Sequence, residues 1–91
     1  MNNRFFAYIT QYALTAGIER REVRDCFDLA PDMVADIEHS NLYYHGSDWH
    51  RTFRDALDQA EALRAKKIAS LKKQIAKLER MTFTEPKEAR P

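Results

Sequence analysis

The chain has 91 residues, 44% hydrophobic and 11% aromatic with only 2 Gly, and its 15 Lys and Arg nearly balance 14 Asp and Glu. A chain this short buries only about 60–65% of the surface its unfolded form exposes, so it holds one small domain, excludes a second catalytic one, and gains from a partner or an oligomer. The net charge of +1 conceals two opposite halves: residues 1–63 carry six Arg and eleven acids, net −5, whereas residues 64–80 carry seven Lys and Arg against Glu79 alone, net +6.

Taken in chain order, the segment from Arg4 to Thr15 is dense in aromatic and β-branched residues and predicts a strand that leaves through Ala16-Gly17. Residues 18–29 alternate Val23, Asp25 and Phe27 with Glu22, Arg24 and Cys26, which selects a second strand, although their Arg and Glu content also suits a helix. Ala30-Pro31-Asp32 marks a turn, because Pro fixes the backbone angle at its second position, and a hairpin follows. Residues 33–45 alternate again, with Ala35, Ile37, His39, Asn41 and Tyr43 on one face and Val34, Asp36, Glu38, Ser40, Leu42 and Tyr44 on the other. This reads as a third strand.

After a turn at His45-Gly46-Ser47-Asp48, Thr52-Phe53-Arg54-Asp55 has the form of a helix start, Thr52 capping an exposed amide and Asp55 lying at the positive helix end. From Phe53 to Met81 there is no Gly or Pro, and strong helix formers dominate. Such a helix spans roughly 43 Å at 1.5 Å per residue, longer than the roughly 33 Å of a ten-residue strand. The expected architecture is α+β: a three-stranded antiparallel β-meander over 4–45, then one long C-terminal helix over 53–81 whose second half projects. Residues 1–83 form the domain and 84–91 a flexible tail.

Two apolar patches lie on that helix. Phe53, Ala56, Leu57, Ala60 and Leu63 are expected to pack on the sheet, and Ile68, Leu71, Ile75 and Leu78 to serve another surface. Arg64 and Lys67 interrupt the stripe between the patches, either breaking it or snorkelling outward along their stems. The 3-4-3 spacing with Ile and Leu alternating suits a short two-stranded coiled coil, so Ile68, Leu71, Ile75 and Leu78 are the expected oligomer interface; folding back onto the domain is the other reading.

Catalytic patterns are scarce: there is no Gly-rich phosphate loop, no nucleophile elbow, and no Cys/His pair close in sequence. No enzyme and no cofactor are expected. His45, Asp48 and His50, joined by His39, offer metal-ligand types, but their spacing fits a hydrogen-bonded turn better, and no metal is expected. Tyr43, Tyr44, His45, Trp49 and His50 gather rings around one turn and read as a recognition patch; alternatively Trp49 and Tyr43 cap the core. Lys66, Lys67, Lys72, Lys73, Lys77 and Arg80 suit phosphates, an acidic protein surface, or the solvated flank of a coiled coil. No apolar run reaches the roughly eighteen residues that cross a bilayer. The stretch after Met1-Asn2-Asn3-Arg4 lacks a signal-peptide core. Cys26 is the one thiol, too few for a disulfide or a thiolate zinc cage. A cytoplasmic protein without membrane attachment is expected.

Three stretches are distinctive in combination: Ile9-Thr10-Gln11-Tyr12-Ala13-Leu14-Thr15-Ala16-Gly17-Ile18, Tyr43-Tyr44-His45-Gly46-Ser47-Asp48-Trp49-His50-Arg51-Thr52, and residues 60–79 with their Lys-Lys-Ile-Ala-Ser-Leu-Lys-Lys-Gln-Ile-Ala-Lys core. Together they cover roughly half the chain and resemble a family of small proteins encoded in bacteriophage and prophage genomes. The family carries no assigned chemistry, so no residue role transfers. The resemblance implies a cytoplasmic setting in a bacterial host and an accessory protein that binds and blocks host machinery, including defence systems such as CRISPR effectors. The expected function is stoichiometric binding of a host protein or complex by a homodimer joined through the helix, with nucleic-acid binding through the basic helix as the alternative.

Overall fold

A computed structural model of the protein describes residues 3–87. Its elements are β1 (Arg4–Ile9), α1 (Ala13–Ala16), β2 (Glu19–Asp25), β3 (Met33–Asp36), β4 (Tyr43–His45), a 3-10 turn (Gly46–Asp48), β5 (Trp49–His50) and α2 (Phe53–Arg80). The class is α+β with one long C-terminal helix, as expected, but the sheet has five strands rather than three, in the order β4-β3-β2-β1-β5 with every pair antiparallel. Of the tail expected over 84–91, residues 88–91 lie outside the described residues.

Each departure from the expected meander has a local cause. The first strand stops at Ile9 instead of running to Thr15, because buried Thr10 is tied elsewhere: its amide donates to Asp48 O at 2.8 Å and its hydroxyl to Ser47 O at 2.8 Å. Ala13–Ala16 then forms a single helical turn, closed by Gly17 at φ 78°, a left-handed angle that glycine adopts without steric cost. The expected third strand over 33–45 breaks at Asp36, whose carboxylate accepts the amides of Glu38 at 2.9 Å and His39 at 3.0 Å and so turns the chain. The strand resumes as β4. The ambiguous segment 18–29 contributes β2 over Glu19–Asp25.

Alternate residues of the strands build the core. The register sets Phe5 opposite Val23, Val23 opposite Asp36, Val34 opposite Tyr44, and Ile9 opposite Trp49, all on one face. Ala7, Ile9, Val23, Val34 and Tyr44 are buried there, with Phe5 and Trp49 packed against them. The two sheet edges, β4 and β5, are joined only by the Gly46–Asp48 turn, and the Trp49 indole N–H donates to Asp32 O at 2.8 Å in the loop before β3. The sheet therefore curls over its own apolar face.

The first half of α2 rests on one side of the sheet, against β1 and β5, and on α1: Phe53 meets the Tyr8 ring edge-on at 5.8 Å, and Ala56 is the one buried residue of the helix. Leu57, Ala60 and Leu63 are half-buried, whereas residues 64–80 are exposed except for half-buried Ala76. The molecule is elongated, 70 × 35 × 21 Å. Among the described residues no helix is long and apolar enough to cross a membrane.

Candidate binding surfaces

The sheet places the five ring-bearing residues singled out in the sequence on two edges and two faces. In β4, strand alternation turns Tyr44 inward and leaves Tyr43 and His45 outward; in β5, Trp49 faces the core beside Ile9, and His50 pairs with Tyr8 on the other face. Tyr44 is only 3% exposed, which withdraws it from any partner surface. Trp49 lies 5.8 Å from the Phe5 ring and stacks on Phe27 at 6.3 Å, while the Arg51 guanidinium covers Phe5 at 4.2 Å. These contacts, with the bond to Asp32, make Trp49 a half-buried cap on the core.

Two polar arrangements hold this end of the sheet, and the alternation pattern hid both. The first surrounds Asp36, which is 2% exposed and accepts four hydrogen bonds: from Arg21 Nε at 3.0 Å, from the Tyr44 hydroxyl at 2.9 Å, and from the two amides that end β3. Burial works to raise the Asp36 pKa, but the His39 amide, the Tyr44 hydroxyl and the Arg21 guanidinium outweigh it and hold the carboxyl below its ordinary value. For Tyr44, burial and then its bond to the Asp36 carboxylate push the phenol above its ordinary value. The charge is buried, paired and saturated with donors, the condition under which a carboxylate is stable inside a small core.

The second arrangement joins Thr10, Ser47 and His50. The Thr10 hydroxyl has one hydrogen and donates it to Ser47 O, so toward His50 Nε2, at 3.2 Å, it accepts. His50 Nε2 therefore carries a hydrogen, which Ser47 O also meets at 3.0 Å. This assigns the His50 tautomer and commits the nitrogen to fastening β1 to the turn before β5. Among the described residues no three His, Cys, Asp or Glu gather in a way that would hold a metal ion.

The remaining sequence-selected residues all lie on the projecting part of α2. Lys66, Lys67, Lys72, Lys73, Lys77 and Arg80 are exposed, and among the described residues none of them forms an ion pair. Beside them Ile68, Leu71, Ile75 and Leu78 are 45%, 43%, 54% and 64% exposed. Scattered surface leucines are ordinary, but four aligned apolar side chains on one helix face, rimmed by cations, form a patch of the kind that proteins bury against another molecule. No family model matches the chain, and no curated protein or solved structure matches it either.

Proposed function

We propose that this is a non-enzymatic accessory protein of the phage type that acts by stoichiometric binding to a host protein complex, with defence machinery as the target class implied by the resemblance. The observation that carries the reading is the division of labour within the fold. The buried polar groups of the curled sheet, Asp36, Tyr44 and Thr10, are consumed in holding it together, while the second half of α2 leaves a cationic, apolar-striped surface uncovered. Exposed apolar area with a charged rim supports protein recognition, the apolar part giving affinity and the charges giving approach and selectivity.

A second reading, nucleic-acid binding, is favoured by one specific observation: the six cations have no ionic partner among the described residues. The tagged full chain, captured from bacterial lysate with and without nuclease and compared with the K72E/K73E/K77E variant, separates the two. A host complex retained at fixed stoichiometry after nuclease supports the first reading. Loss of all captured material after nuclease overturns it. In that case the triple variant should lower the slope of log K against log salt by about 2.7, at about 0.9 per phosphate contact.

A further inference from the structure

We propose that α2 pairs with α2 of a second copy of this chain in antiparallel order, and that Met81–Phe83 of each chain fills the apolar cleft between α1 and α2 of the other. The inference rests on the reading that the second half of α2 is a binding surface; it commits the ridge of Ile68, Leu71, Ile75 and Leu78 to a second copy and leaves the surrounding cations to the host complex. Its starting point is a continuity along the helix. Leu57 and Ile75 are about five turns apart and project in the same direction. Ala60 and Arg64 flank that direction near the body, as Ile68, Leu71 and Leu78 do further out. The exposed ridge is thus the prolongation of the helix face that, with Ala13, Leu14 and Ile18, lines a cleft of about 230 Å³.

This continuity decides the direction of pairing. In a parallel pair, residues 57–64 of the two helices would meet face to face, in the space α1 already takes against Leu57 and Ala60 in each copy. A parallel pair would also bring Arg64 against Arg64 at a core position and Lys67 against Lys72 on both flanks. In the antiparallel order Ile68 meets Leu78 of the second copy and Leu71 meets Ile75. Glu79 falls beside Ala65 and Lys67 beside Met81, which leaves Lys72 as the one cation facing its own counterpart across the dyad. The helix dipoles oppose one another, and each basic tip points toward the acidic body of the other copy.

The same register accounts for the chain end. With Ile68 opposite Leu78, the residues that follow Arg80 arrive beside residues 60–65 of the second copy. There α2 stops and 81–87 continue without regular structure, with Met81 46% and Phe83 89% exposed in the single chain. The cleft lies at that level, open to solvent, with Leu14, Ile18, Leu57 and Ala60 as its apolar lining and Glu61 and Arg64 also on it.

The test uses the full chain as Leu71→Cys and Ile75→Cys variants, oxidised separately and mixed, with solution mass measured by light scattering; Cys26 is buried and does not compete. The expected result is a mass of two chains and a disulfide-linked dimer only in the mixture, because positions 71 and 75 face each other. Like positions are offset by about 6 Å along the axis, beyond comfortable disulfide reach. A dimer in which Leu71→Cys links to itself overturns the antiparallel order, and a single-chain mass at all concentrations overturns self-pairing. Neither result touches host binding, which the nuclease capture reads separately. Phe83→Ala should leave the circular dichroism of the single chain unchanged and raise the dimer dissociation constant about 10- to 100-fold. An unchanged constant overturns the seating of Phe83.

Discussion

Asp36 shows how one side chain shapes this fold, since it is buried within a strand and also ends that strand by accepting two amides beyond it. Tyr44→Phe removes one of its four donors and leaves a buried lone pair without its partner, which should cost about 1–3 kcal/mol in urea denaturation with little change in the m-value. The carboxyl is held below its ordinary value in the folded state, so its contribution is fully present above about pH 4 and is lost as the pH falls through the lowered folded-state value. Asp36→Asn should flatten that acid limb of the stability curve. It also lowers stability at neutral pH by leaving Arg21 without its buried counter-ion, so the slopes are what the comparison reads. The residue was legible only in part. The polar run Glu38-His39-Ser40-Asn41 signals a turn, but the chain re-enters the sheet in phase, with Val34, Asp36 and Tyr44 all facing inward, so the two-residue period survived the interruption and read as one long strand.

At the scale of elements, α2 and β5 stand at opposite extremes. The helix begins where its cap is, with Thr52 Oγ1 accepting from the Asp55 amide at 3.1 Å, and it continues while helix formers last. Thr52→Ala should therefore cost about 0.5–2 kcal/mol, read by thermal or denaturant unfolding followed at a helical wavelength. Both the cap and the propensity act within a few residues, and the sequence shows them plainly. β5 is two residues long and carries no alternation to detect; it exists because Trp49 and His50 find β1 some forty positions earlier in the chain. α1 belongs to the same category. Its Ala13 and Leu14 suit a helix as well as the end of a strand, and the fastening of Thr10 to the 3-10 turn excludes the strand.

For the whole molecule, the decisive feature is that a small sheet curls over its own apolar face, so the long helix rests only its first half on β1, β5 and α1 and leaves the body from that side. The resulting shape separates an acidic body from a basic arm, and any partner of the arm, including a second copy, meets apolar side chains and cations together. Charge segregation, the helix with its cap, and the aligned ridge of Ile68, Leu71, Ile75 and Leu78 were determined by the sequence alone, because each depends on residues within a few turns of one another. Tertiary structure decided the number of strands, the withdrawal of Tyr44 from the surface, the capping role of Trp49 and the edge position of the helix. Those outcomes depend on pairings between distant segments and on which face the sheet closes over, energies that no local window of residues contains.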